Sequence, residues 1–237
     1  RNYTYLQRVE TRFLDGDGQV KKRKVETFDV TLTDGTPYQR LVEIDDQPLD
    51  TERARKEQEK LEKHLEERRK ESPEKRAKRI AEYEKKRARG RKFIDELQDA
   101  MEFRLVGEEE LRGRKAWVIE ATPRAGYQAK SAETRFVTKM RGRLWLDQQD
   151  KLVVRLRAET LDNVSLGLFL AKVHKGTTIG LDTTRVNDEV WLPRHFDLKL
   201  SARVLLLARL REELDFSFSK YRKFQAESRI VATEETK

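Results

Sequence analysis

The sequence contains no cysteine, so neither a disulfide framework nor a thiolate metal site or nucleophile can take part in its folding or chemistry. Three histidines, His64, His174 and His195, lie far apart with no ligand spacing. No run of apolar residues approaches the eighteen or so that a spanning helix needs; the longest continuous one is Val204–Ala208. Signatures of nucleotide-binding and serine-hydrolase folds are missing as well: there is no Walker loop, no G-x-G-x-x-G and no G-x-S-x-G. Asp15-Gly-Asp-Gly-Gln19 has the flavour of a calcium loop. However, Val20 stands where that loop requires glycine, so the stretch reads as a hairpin turn. Nothing here argues for an enzyme, a metal or a cofactor.

Charge, by contrast, is abundant: 40% of the 237 residues are charged and the net charge is +9. The excess is local. Residues 51–92 carry eighteen Lys and Arg against ten Glu, while the remainder is almost balanced. The basic pI therefore describes one segment. Its cations alternate with Glu at helical spacing, as in Glu57/Lys60 and Glu59/Lys63, which is the pattern of a solvated helix. Aromatic residues for base stacking are nearly absent, with Tyr83 and Phe93 the exceptions, which argues against nucleic acid. An anionic membrane surface or acidic partner remains open, with Arg68, Arg69, Arg76 and Arg79 as the residues to meet it.

Along the chain, period-2 patterning predicts strands over 2–14, 20–33 and 38–44, separated by Asp-Gly turns. A helical insertion over 50–100 follows. Asp50 or Thr51 caps its first helix and Ser72-Pro73 starts its second. Gly90 is expected to end or bend that second helix before a third, whose stripe is Phe93, Ile94, Leu97 and Met101. Strands are then expected over 102–106 and 114–122, and a short helix over 131–140, capped by Ser131, with Phe136, Val137 and Met140 inward. From Gly142 to Phe224 the pattern is a meander of hairpins. Trp117, Trp145 and Trp191 each fall in a strand, and Trp145 points away from Leu144 and Leu146, so the sheet is expected to be apolar locally on both sides. Residues 229–237 read as a tail. These elements predict an α+β chain: a curved antiparallel sheet with one apolar face, interrupted by a long basic helical insertion.

Three stretches carry a resemblance: Gly113-Arg-Lys-Ala-Trp-Val-Ile-Glu-Ala-Thr-Pro123, Gly142-Arg-Leu-Trp-Leu-Asp147 turning into Leu152-Val-Val-Arg-Leu156, and Val190-Trp-Leu-Pro193. Together they resemble the LolA/LolB-type superfamily of outer-membrane lipoprotein-sorting proteins over roughly Tyr3–Phe224. The resemblance implies a single domain spanning 1–237, with a strongly curved sheet, an unclosed β-barrel, whose concave face is covered by helices. It implies a periplasmic or otherwise extracytoplasmic protein, its signal peptide removed, that binds a lipid acyl chain or a lipoprotein without catalysis. Arg1 opens directly in strand-like sequence, so the helix that usually begins such folds is expected to have been trimmed away. The insertion is far more charged than a simple apolar lid. From the residues, the cavity candidates are Leu198, Leu200, Val204, Leu206, Phe216 and Phe218 on the sheet, faced by Phe93, Ile94 and Leu97. The same residues would serve equally as a filled core. The alternative function is an envelope module docking through its basic helical pair.

Overall fold

The computed structural model describes residues 3–166, 171–204 and 208–223. Thirteen strands form one antiparallel sheet, strongly curved and unclosed. Three come first: β1 (Tyr3–Leu14), β2 (Val20–Thr33) and β3 (Thr36–Ile44), followed by the two-residue β4 (Gln47–Pro48). Next stand the helices α1 (Thr51–Arg69) and α2 (Pro73–Ala100). The chain re-enters the sheet as β5 (Met101–Leu111) and β6 (Arg114–Pro123) and forms α3 (Ala132–Val137). It then continues through β7 (Met140–Asp147), β8 (Val153–Thr160), β9 (Val164–Leu166), β10 (Ala171–Val173), β11 (Thr178–Val186), β12 (Val190–Val204) and β13 (Ala208–Lys223). Eleven strands run in the order β4-β3-β2-β1-β13-β12-β11-β8-β7-β6-β5, with β10 pairing both β12 and β9 off this path, so the helical pair leaves from one edge of the sheet and returns at the other.

The register explains why this sheet has two chemically different faces. Residues directly opposite one another point to the same side. One row runs Leu105, Ile119, Leu144, Leu156, Leu181, Phe196, Phe216, Val9 across eight strands, all apolar. One residue along each strand the row reads Arg104, Glu120, Arg143, Arg157, Gly180, Asp197, Asp215, Glu10. The first row faces inward, toward the helices. The second forms part of an outer ion-pair lattice. In it Glu10 accepts from Arg8, Arg12 and Arg23, Arg141 pairs with Glu159, and Lys199 with Glu213. These three arginines hold the Glu10 carboxyl at about 2, Arg23 foremost, against its burial. Slipping any strand by one residue would bury this lattice and expose the apolar row, so the register is strongly specified.

The outer face carries an apolar cluster near β6–β8, where Ala116, Val118, Trp145 and Val154 are buried together under Leu111 and Trp191. Trp145 therefore does point away from Leu144, and its Nε1 donates to Glu109 at 2.8 Å. At the β7–β8 turn, Asp147 is almost fully buried and accepts two hydrogen bonds of 2.7 Å from Arg114. The turn amides of Gln149 and Asp150 also donate to it. Asp15, where a calcium loop was considered, is a turn residue: its Oδ1 accepts from the amides of Asp17 and Gln19, both at 2.9 Å.

The insertion contains two helices rather than the expected three. Gly90 neither ends nor restarts α2, because its φ stays out of the left-handed region and its neighbours Arg89 and Arg91 are good helix formers. Glycine inside a helix costs ~1 kcal/mol, too little to break 28 residues that also carry a Ser72 cap and Pro73. Met101 is the C-cap of α2 and the first residue of β5. β5 runs on past the expected strand 102–106 to Leu111, and its run of glutamates over 108–110 suits the exposed edge that it forms. The apolar run 167–170, residues 205–207 and the tail 229–237 lie outside the described residues.

α1 meets the sheet at β3, where Tyr38 stacks against His64 at 4.4 Å and Thr33 hydrogen bonds His64 Nε2 at 3.0 Å. α2 starts at the β2–β3 turn, where Arg76 and Arg79 both pair with Asp34. Burial raises the pKa of the Tyr5 phenol on β1, and the charge of Tyr83 on α2 adds to the effect. Its last turns pack on β5 and α3, with Ala100, Met101 and Ala121 buried against Leu97, Tyr127 and Val137.

Candidate functional site

The floor of the site comes from one register row that runs out of side-chain volume. Phe103, Ala121, Gly142, Ala158 and Ile179 are directly opposite one another across β5, β6, β7, β8 and β11. The next row on the same face is bulky, with Ile119, Leu144 and Leu156 on the middle three strands. Three small residues side by side leave a depression that large neighbours cannot fill. At Gly142 even a methyl group is excluded. A Cβ there would sit 2.9 Å from the carbonyl oxygen of Arg157 and 3.2 Å from the Cβ of Ala158.

Helices roof this depression. Phe93 and Leu97 descend from α2, Phe136 and Val137 from α3, and Met101 and Met140 close one end. The result is a cavity of about 550 Å³, within the range of small-molecule sites. Among the described residues that line it, Arg141 alone is ionisable, and it is engaged with Glu159 at 2.5 Å. Among the described residues, the lining offers no carboxylate, imidazole or hydroxyl. Phe103, which lines it, is 48% exposed.

Glu96 pins the roof. One carboxylate oxygen accepts from Tyr127 Oη at 3.2 Å and the Lys130 amide at 2.8 Å; the other accepts from Ser131 Oγ at 3.2 Å and Thr134 Oγ1 at 2.5 Å. Ser131 in turn caps α3 by accepting from the Thr134 amide. These donors, Thr134 first, hold the Glu96 carboxyl below its ordinary value. A single side chain on α2 thus fixes the position of α3.

Of the residues expected to form a cavity, Phe93 and Leu97 line it, whereas Ile94 points largely to solvent. Leu198, Leu200, Phe216 and Phe218 share the inner face but lie on β12 and β13, beyond Ile179, and do not line the cavity. Phe216 packs on Phe196, and Phe218 on Tyr5, closing the surface with aromatic rings. Val204 ends β12, and Leu206 lies outside the described residues. Of the four candidate arginines, Arg68 pairs with Glu71, Arg76 with Asp34, and Arg79 with both Glu71 and Asp34. Three of the four are therefore occupied within the chain: Arg76 and Arg79 hold α2 on the β2–β3 turn, while Arg68 and Arg79 meet on Glu71 between the two helices. The floor residues Ala121, Gly142 and Ala158 were the ones sequence reasoning missed. Each stands two positions from a large apolar residue on its own strand, and it is the register of the β5–β6 hairpin against the β7–β8 hairpin that brings the small residues into one line.

Fold and site together define an unclosed antiparallel half-barrel with an apolar chamber between sheet and helices. Among the described residues, no helix is long and apolar enough to cross a membrane. No protein-family model and no curated protein matches the sequence. Similar solved structures include a putative outer membrane lipoprotein-sorting protein domain from Vibrio parahaemolyticus, at 8% identity and TM-score 0.39, covering 96% of this chain and 87% of that one. A LolA superfamily protein from Nitrosomonas europaea is similar at 11% identity and TM-score 0.29, covering 94% and 86%. The MucA/MucB complex from Pseudomonas aeruginosa matches at 11% identity and TM-score 0.26, covering 95% of each chain.

Proposed function

We propose that this protein is a non-enzymatic, extracytoplasmic binder of a lipid acyl chain, free or carried by a lipoprotein, which it holds between β5–β8, β11 and the α2–α3 roof. The observation that carries this reading is the chamber itself: about 550 Å³ walled by aliphatic, aromatic and methionine side chains, with the one ionisable residue among its described lining already paired. A polar guest would have to leave its hydrogen bonds unmade there, at ~1–3 kcal/mol for each group. Each methylene moved from water into the chamber gains ~0.8 kcal/mol, so a partly inserted chain of eight carbons gains roughly 6 kcal/mol before ordering costs. Phe136, Val137, Met101 and Met140 supply adaptable walls, suited to a guest of variable length.

Docking on an anionic surface through Arg68, Arg69, Arg76 and Arg79 is disfavoured by the internal pairing of three of them. The test is titration with dansyl-undecanoic acid, together with native mass spectrometry of the purified protein before and after lipid extraction. Saturable probe binding at one site, or a co-purifying lipid mass lost on extraction, is the expected result. Lipid-free protein that leaves the probe fluorescence unchanged would overturn the proposal.

A further inference from the structure

On the outer face of the sheet, arginines outnumber the carboxylate they share. Arg155 and Arg157 flank Leu156 on β8, and both reach Asp182 on β11, Arg155 Nε lying 2.7 Å from Oδ1 and Arg157 binding Oδ2. Arg112, at the β5–β6 turn with φ 54°, adds a third guanidinium 3.5 Å from Oδ1 and donates to the Thr183 carbonyl at 2.5 Å. Asp182 is buried, and each of its oxygens already faces a guanidinium. Beside it opens a cavity of about 510 Å³ lined by Arg112, Arg155, Asp182, Arg194, His195 and the Ser217–Phe218 stretch of β13.

Arg194 enters this cavity because of a backbone irregularity. The β11–β12 register shifts between Asp182 and Thr183, whose partners are His195 and Pro193, so Arg194 falls in the bulge. Bulges commonly re-aim a side chain in this way. Arg194 is exposed, and its positive charge, after burial, pushes the Arg112 pKa down. Two further carboxylates stand behind the lining residue His195: its Nε2 lies 2.7 Å from Asp215 and its Nδ1 3.7 Å from Asp197. Arg157 also spends N–H groups on the carbonyls of Leu156 and Leu181. Among the lining residues themselves, Arg112, Arg155 and Arg194 share the single carboxylate of Asp182, a surplus of two positive charges in the lining, with Asp215 and Asp197 set back behind His195.

We propose that this outer pocket binds a phosphate-class oxyanion, with Arg194 and Arg112 as its principal donors. Guanidinium forks match tetrahedral oxyanions through paired N–H donors, and a phosphate monoester carries ~1.5–2 negative charges at neutral pH, which equals the surplus. The site is separate from the apolar chamber. Leu156 lines that chamber while Arg155 and Arg157 on either side of it point to the opposite face, so head and tail of one lipid cannot occupy both.

The experiment compares thermal unfolding and calorimetric titration of wild type and Arg194→Gln with inorganic phosphate, glycerol 3-phosphate and sodium chloride at matched ionic strength. Co-sedimentation with phosphatidylcholine vesicles containing phosphatidylglycerol runs in parallel. Wild type should be stabilised by phosphate beyond chloride, and Arg194→Gln should bind at least tenfold more weakly. The Ala158→Leu variant, which alters only the apolar chamber, should respond like wild type. A phosphate response without vesicle binding identifies a soluble phosphate ligand; vesicle binding that Arg194→Gln abolishes identifies a headgroup. Equal responses to phosphate and chloride, with vesicle binding absent or unchanged in Arg194→Gln, would overturn the proposal.

Discussion

Ala158 stands directly opposite Gly142 across β7 and β8, and the methyl that Gly142 lacks would lie 3.2 Å from that of Ala158. The pair is the thinnest part of the inner face, and the chamber exists because neither residue fills it. Gly142 itself is a poor site for substitution, since its missing Cβ would also press on the Arg157 carbonyl at 2.9 Å. Ala158 has room above it.

Ala158→Leu should therefore occupy the chamber with protein. Inserting methylenes into a packed core costs ~1–3 kcal/mol, whereas here they enter empty volume, so the melting temperature should hold or rise. Affinity for dansyl-undecanoic acid should fall at least about tenfold, a loss of ~1.4 kcal/mol. Equal binding by a folded Ala158→Leu protein would move the guest to some other surface.

Leu97→Asp probes the roof by chemistry instead of volume. Leu97 both lines the chamber and packs on the buried Ala100–Met101–Ala121 cluster. A carboxylate there would face apolar walls, so probe binding should be lost and stability should fall by ~2–3 kcal/mol, read from urea unfolding. Leu97→Met, which keeps volume and polarity, should retain both properties.

Glu96 makes the roof sensitive to acid. Its folded carboxyl lies below the ordinary 4.5, so the unfolded chain binds the proton more readily. The stability it contributes is then fully present above about pH 4.5 and fades as pH drops through the lower folded value. Glu96→Gln should melt below wild type at pH 7, and the two should converge on acidification. Hydrogen exchange should show α3 and residues 124–131 opening first in the variant. A gap independent of pH would mean that the carboxylate's charge is not what holds α3.

Much of this architecture was legible in the sequence because it rests on period-2 alternation and turn chemistry. The Asp-Gly turns, the Ser72-Pro73 start, the Ser131 cap and the opposed orientations of Leu144 and Trp145 are all local signals. The register between distant strands is not local. β1 lies beside β13, a pairing that no pattern within either strand announces. The inner face could accordingly be recognised from Leu198, Leu200, Phe216 and Phe218, while the position of the chamber along that face could not. It depends on Ala121, Gly142 and Ala158 coming level, and small residues carry no hydrophobic signal of their own. Gly90 misled for the opposite reason: a residue that often ends helices sits within one whose caps and flanking arginines outweigh it.

Asp147 and Arg114 give the sheet its own acid limit. Arg114 donates to both carboxylate oxygens at 2.7 Å, and with the turn amides it brings the carboxyl from 3.8 to about 2, against the cost of burial. Since the folded value is depressed, the stabilisation is complete above about pH 4 and is lost as pH falls toward 2. Asp147→Asn removes the charge but keeps the shape. It should cost roughly 2 kcal/mol at pH 7, the scale of a charge-assisted hydrogen bond, or about 5 °C in a chain of this size. Arg114 also lies over the Trp191 ring at 5.5 Å, and Trp191 donates to Asp150 at 2.7 Å. The variant should therefore shift the tryptophan emission along with the melting temperature, while leaving acyl-probe binding intact because the turn lies on the side of the sheet away from the chamber. Loss of probe binding in Asp147→Asn would show instead that the two faces are coupled through β7.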